Sequence, residues 1–233
     1  MSGPRGGRYP TIAMRGMRMT ARVVAALRTS RIRVDGLENV PREGPALLVA
    51  RHYHHVLDGV VLLSRIPRPI HVVVALDWAK TARERRTMEA ACRLARWPVI
   101  LRARTLAAGS AYARAELLRY LRTGLRDAAA HLSAGRVVVV FPEGYPVVDR
   151  AGMQPPARDA GGILPLADGY RTIAALARRD GAPAFPTIPV GFAYAGDAKR
   201  PAVTMRIGLP LLGPAPAATV EEAIRALSAP PPR

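Results

Sequence analysis

Residues 46–63 read ALLVARHYHHVLDGVVLL: an apolar run, a polar stretch and a second apolar run. The first run, ALLVA, carries no polar residue and follows a Gly-Pro pair, which predicts a buried strand. The second fits a helix over about 57–65. RHYHHVLDG, residues 51–59, is then a strand-to-helix turn at one edge of a sheet, where the reactive groups of α/β proteins collect. Within it, three histidines and one aspartate share seven consecutive positions, 52–58. A metal cage, a base with its orienting acid, and a plain polar turn are three readings of that cluster.

A histidine at such an edge can accept a proton from a hydroxyl near neutral pH. A carboxylate bonded to its other ring nitrogen would fix the tautomer and stabilise the imidazolium. Asp58 can serve His52, His54 or His55. Its spacing of four from His54 stacks those two side chains on a regular helix, whereas His52 needs a turn before the helix begins. The metal reading compares H-x-H-H followed by aspartate with the H-x-H-x-D-H ligand run of metallo-β-lactamase-type hydrolases, and the fit is poor. The aspartate falls two positions late and no histidine follows it. The remaining histidines are His71, inside a strand pattern, and His131, near a helix end. No metal and no cofactor are expected.

Short β-rich runs alternate with helical patterns along the rest of the chain. ALLVA, IHVVVAL, WPVIL, RVVVVF, FPTIPVGFAY and VTMRIG are the predicted strands. Helices are predicted over roughly 12–29, 57–65, 80–95, 110–133, 166–179 and 218–227, the fourth with Ser110 as N-cap and Gly135 beyond its end. The alternation predicts one α/β domain over 31–228, with a mixed, mostly parallel central sheet and helices on both faces. A length of 233 residues suits one such domain with a proper core. Residues 1–10 and 229–233 are expected to be a disordered N-terminus and a tail. The stretch 145–162, rich in Pro and Gly and without periodicity, is expected to be a substrate-covering loop.

Composition narrows the partners. Thirty-five Lys and Arg stand against 17 Asp and Glu, a formal net charge of +18, which points to an anionic partner or to a compositional preference for arginine. Nucleic acid is disfavoured: aromatics are few, none interleaves with the basic residues as stacking platforms would, and no helix-turn-helix or zinc-finger spacing occurs. The single cysteine, Cys92, excludes an intrachain disulfide and sits in a helical pattern that predicts burial as a small hydrophobe. No secretory signal or membrane span is evident. Residues 11–30 instead form a basic amphipathic helix, with Met14, Met17, Ala21 and Val24 at helical spacing beside Arg15, Arg18 and Arg22. That pattern suits either an anionic membrane surface or packing on the helix's own domain.

A second motif decides among the readings of the histidine cluster. RVVVVFPEGYP, residues 136–146, ends a strand in Phe-Pro-Glu-Gly. Together with RHYHHVLDG it resembles the glycerophospholipid acyltransferase family, which includes the lysophosphatidic acid acyltransferases: its first block is a histidine followed by an aspartate after a strand, its third F-P-E-G. VDGLENVPREGPALLVARH resembles the lead into the first block, GYRTIAALA with FPTIPVGFAY the fourth, and MRIGLPL the closing strand, so about 32–212 is covered.

The resemblance implies transfer of an acyl group from acyl-CoA or acyl carrier protein to the hydroxyl of a lysophospholipid or glycerol phosphate. His52 would be the general base and Asp58 its orienting acid, with His54 as alternative base. Arg102 would bind a phosphate, Glu143 and Gly144 would shape the acceptor pocket, and the enzyme would lie peripherally on the inner, cytoplasmic face of an anionic membrane. Several positions depart from the family pattern. The usual H-x4-D becomes H-x5-D from His52 or H-x3-D from His54, and Arg51 replaces an asparagine. In the G-x5-R block Arg96 holds the glycine place before Arg102, with Arg104 as a competing arginine. No lysine precedes Gly169.

Overall fold

ALLVA is the strand on which the sheet is built. The computed structural model describes residues 11–102, 110–148, 162–213 and 215–229, the first three by their backbone alone. In chain order these form α1 (Thr11–Arg28), β1 (Arg31–Asp35), β2 (Ala46–Ala50), α2 (Leu57–Arg65), β3 (Ile70–Val72), β4 (Val74–Ala75), α3 (Ala82–Ala95), β5 (Val99–Ile100), α4 (Leu117–Ser133), β6 (Val137–Val140), α5 (Gly169–Arg179), β7 (Pro186–Ala195), β8 (Ala202–Ile207), β9 (Leu211–Leu212) and α6 (Ala217–Ser228). The expected disorder of 1–10, most of the 229–233 tail, Arg104 and most of the 145–162 loop lie outside the described residues.

The main sheet has the order β1-β8-β7-β2-β6-β3, with β9 paired to β7. β2 pairs in parallel with both β6 and β7, and β3 in parallel with β6, while β8 runs antiparallel to β7. This is the mixed, mostly parallel sheet expected. A parallel strand covered on both faces must be apolar on both, which is why ALLVA and VVVV read as uninterrupted runs. All nine of those residues are buried. Leu48, Val139 and Ile188 face α1 and α2 through Ala21, Val61 and Leu62. Leu47 and Val138 face α4, α5 and α6 through Leu132, Ile173 and Ile224. Cys92 is buried in a third cluster with Leu76, Leu101 and Tyr112, and burial pushes its thiol up to about 11.

Differences from the predicted elements have local causes. β1 reads RIRVD, three charges in five residues, and β9 is two residues long; neither shows an apolar run. IHVVVAL divides at Val73, because its first half pairs with β6 and its second leaves that sheet to pair with β5. α4 begins at Leu117, not Ser110: the Ser110 hydroxyl accepts from the Tyr112 N–H at 3.2 Å in a turn, and a 3-10 turn at Arg114–Glu116 intervenes. Of the two readings of the stripe at Met14, Met17, Ala21 and Val24, membrane surface or packing on the helix's own domain, α1 shows packing. Met14 and Ala21 are buried and the other two half-buried, because that face covers α2 and the sheet. The face turned outward carries Met19, Val23 and Leu27, each more than half exposed.

Two imidazoles and one carbonyl close the end of α3. Arg96, in the family's glycine place, is the one described non-glycine residue with positive φ, 54°. Its carbonyl accepts from His71 Nδ1 at 3.0 Å and from His131 Nε2 at 2.8 Å, with the two rings stacked at 3.7 Å. Arg136 Nη1 lies 2.9 Å from His131 Nδ1, so a neutral His131 accepts there. Burial first, then the neighbouring charges, lowers His71 to about 3 and His131 to about 4.

Arg96→Gly and Arg96→Val both remove the guanidinium, so their difference isolates the backbone. Urea denaturation is expected to find the glycine variant about 1–2 kcal/mol more stable, because a left-handed conformation penalises a side chain. The histidine pair is neutral when folded and takes up protons on unfolding, so its stabilising contribution is whole above about pH 6.5 and is lost as pH falls through about 4 to about 3. Imidazole proton shifts recorded from pH 7 to pH 5 should stay at the neutral value for His71 and His131. Titration of both near pH 6.5 in the folded protein would contradict this account.

Candidate active site

Asp58 stands in the first turn of α2 with no exposed surface. A buried carboxylate costs several kcal/mol unless its lone pairs are filled. Here Oδ2 accepts from the Tyr53 N–H at 2.7 Å, the His54 N–H at 2.9 Å and His52 Nδ1 at 3.0 Å. Oδ1 accepts from the Tyr194 hydroxyl at 2.5 Å. The amide-rich start of α2 adds a favourable field. Burial and the adjacent carboxylate raise the Tyr194 hydroxyl far above its ordinary value, so it stays a donor.

An ionised carboxylate only accepts, so His52 carries its proton on Nδ1 and leaves Nε2 as an acceptor. The His52 ring stacks on Phe141, centroids 4.5 Å apart, and its side chain keeps 17% exposure, enough for a ligand to reach it. His54 is placed otherwise. Its Nδ1 accepts from the Val56 and Leu57 N–H groups at 3.2 and 3.3 Å, capping the start of α2. His55 Nδ1 donates to the Val148 carbonyl at 3.1 Å. The three rings thus serve three different partners. Among the described residues no group of three His, Cys, Asp or Glu side chains gathers as a metal would require.

The second motif lies against the first because β2 and β6 are neighbours and Val49 pairs with Val140. Chain leaving those strands therefore emerges side by side. Phe141 to Gly144 makes a tight turn, closed by the Gly144 N–H on the Phe141 carbonyl at 3.0 Å, and the φ of 73° at Gly144 suits a residue without Cβ. Glu143, 5% exposed, accepts from the His52 N–H at 2.9 Å and from the Leu164 N–H at 3.1 Å, one on each carboxylate oxygen. Beyond the turn the chain runs along the histidine stretch. Val147 and Val148 N–H donate to the His52 and Tyr53 carbonyls at 3.1 and 2.7 Å, and the His55 N–H returns a bond to Val148 at 3.3 Å.

Arg102 reaches the same edge from the end of β5. Its guanidinium forks onto Asp77, with Nε to Oδ1 at 3.0 Å and Nη2 to Oδ2 at 2.8 Å, and lies 4.5 Å over the Tyr145 ring. A Cβ on Gly144 would stand 3.6 Å from its Cδ. Arg51, in the family's asparagine place, is buried; its Nη2 donates to the Gly162 carbonyl at 3.2 Å. Of the residues singled out from the sequence, His52, Asp58, Arg102, Glu143 and Gly144 come to one edge, as does the alternative base His54, turned to the start of α2. Sequence reasoning missed Tyr194 and Asp77. Both are polar residues at or just past the end of a predicted apolar strand, FPTIPVGFAY and IHVVVAL, and that position was the available signal.

The sequence profile of a family described as Acyltransferase matches residues 31–193, a span that contains both motif turns. No curated protein matches the sequence. Among solved structures, the fold is similar to that of the 1-acyl-sn-glycerophosphate (LPA) acyltransferase PlsC from Thermotoga maritima. The TM-score is 0.60 at 19% identity, covering 91% of this chain and 77% of that one. At that identity the likeness bears on the fold. The family match rests on the sequence itself, over well more than half its length, and by it the chain belongs to the acyltransferase family.

Proposed function

We propose that the protein transfers a fatty acyl group from a thioester, acyl-CoA or acyl carrier protein, to the hydroxyl of a lysophospholipid or glycerol phosphate. The observation that carries this reading is the His52 Nδ1–Asp58 Oδ2 bond of 3.0 Å on a carboxylate already held by two amides and a tyrosine. His52 Nε2 takes the proton of the acceptor hydroxyl as its oxygen attacks the thioester carbonyl. The new C–O bond forms, the C–S bond breaks, and the departing thiolate recovers the proton from the imidazolium. No covalent enzyme intermediate is needed.

Asp58 holds the tautomer and stabilises the imidazolium. Tyr194 acts through Asp58 as a positioning residue. Glu143 is also a positioning residue: it ties the His52 backbone to Leu164 and leaves Gly144 and Arg102 nearer the acceptor. Arg102, its charge partly met by Asp77, serves as an oriented donor toward the acceptor phosphate.

The lipid product and acceptor call for a membrane surface. No described helix is long and apolar enough to cross one, and docking from the cytoplasmic side by the outward face of α1 fits the chain better. Met19, Val23 and Leu27 recur every fourth residue there, with exposed Arg15 and Arg22 alongside. Apolar insertion and attraction to anionic lipid act together in such a helix.

His52→Ala and Asp58→Asn are each expected to lower acyl transfer by a factor on the order of 10² or more while circular dichroism stays unchanged. Tyr194→Phe should cost less, and His54→Ala least. Full activity in His52→Ala together with loss in His54→Ala would reassign the base. For docking, Val23→Asp/Leu27→Asp should lower partition onto anionic vesicles by about tenfold or more. Wild-type partition by a folded double variant would remove α1 from the membrane contact.

A further inference from the structure

A groove of about 340 Å³ lies between the C-terminal half of α1, the last turn of α2 and the start of β1. Arg22, Arg31, Arg65 and Arg200 line it, with Thr29 and Ser30 between them. None of the four guanidinium groups forms an ion pair with a described carboxylate. Arg200 Nη2 donates to the Ala26 and Thr29 carbonyls at 3.3 and 3.2 Å, which anchors it at the end of α1. Four like charges around one cavity repel one another, and an anion between them relieves that repulsion. Arginine forks match the oxygens of a phosphate in particular.

Two placements identify where that phosphate comes from. Arg22 precedes Val23 on α1 and so lies little more than a quarter turn from the exposed line of Met19, Val23 and Leu27. One wall of the groove begins at the sheet edge that holds the histidine turn: Arg31 pairs with Ala202, which pairs with Ala195, the residue after Tyr194. A charged groove beside an apolar line, with Arg31 at the active edge, suits a phosphate lying at the surface of a bilayer.

We infer that this groove binds the phosphate of an anionic lipid headgroup and so sets how the active edge meets the membrane. The inference rests on the docking reading above and is separate from the chemistry of His52. The headgroup bound here need not be the one acylated. A soluble phosphate ester shares the recognition chemistry, and lacks the apolar part that α1 would engage.

The test compares Arg22→Gln/Arg31→Gln/Arg65→Gln with Arg42→Gln/Arg122→Gln/Arg126→Gln, which removes equal charge from exposed positions elsewhere. Partition onto phosphatidylcholine vesicles containing phosphatidic acid is measured by sedimentation. The groove variant should lose about tenfold or more and the control variant no more than about threefold. Coenzyme A, added to match the lipid phosphate, should not displace the wild type.

Equal losses in the two variants, no loss in the groove variant, or displacement by coenzyme A would each overturn the inference. Arg31→Glu, at an exposed strand end, should shift partition in the same direction with little burden on folding, and no shift there counts equally against the groove. Turnover of a water-soluble short-chain acceptor should be unchanged in the groove variant and lost in His52→Ala. Failure of the groove and failure of the acyl-transfer reading are thereby told apart.

Discussion

A carboxylate shut away from water must either take up a proton or have its oxygens filled by donors. Asp58 meets the second condition four times over, and the active edge is arranged around that fact. Two of its donors are consecutive backbone amides, which fixes the path of the chain between β2 and α2. A third is the His52 ring, which fixes the tautomer. The fourth is a hydroxyl 136 residues further along the chain, which ties β7 to the same point. Remove the charge and these restraints lose their common centre.

The sheet makes this convergence possible. β2, β6 and β7 run parallel and adjacent, so whatever follows each strand appears on the same edge. β2 supplies the histidine turn, β6 the Phe-Pro-Glu-Gly turn and β7 the tyrosine. The two turns are then latched by backbone as well as side chain: Glu143 holds the His52 amide, and Val147 and Val148 lie along the His52–Tyr53 carbonyls. A hydrogen-bonded frame of this kind holds a reacting group in place without reorganisation when charge develops on it.

Much of this was legible because it is local. The buried runs ALLVA and VVVV and the helix at 57–65 are properties of short segments, whereas local spacing left Asp58 to any of three histidines and only the family resemblance pointed to His52. Tyr194 and Asp77 were not legible, since their roles depend on strand order and register across long separations. Glu143 was found by motif, yet its partners are backbone amides, which leave no mark in a sequence. α1 stayed ambiguous for a different reason: apolar burial has no direction, so a stripe that will pack on a protein reads like one that will enter a lipid. Its inward face carried four apolar residues at helical spacing, and the outward line of Met19, Val23 and Leu27 was passed over.

An inserted residue ordinarily destroys a spacing on which chemistry depends. Between His52 and Asp58 the chain carries one residue more than the commoner pattern of its family, and the hydrogen bonds show how the surplus is absorbed. Successive amides of Tyr53 and His54 both turn inward to the same oxygen, forming a small anion-binding concavity. The longer loop does not bulge away from the aspartate; it wraps it. Loop length at this turn is therefore free to drift by a residue so long as each amide facing the carboxylate finds an oxygen, and the geometry to look for in divergent relatives is the wrapped anion and not the count of residues between two letters.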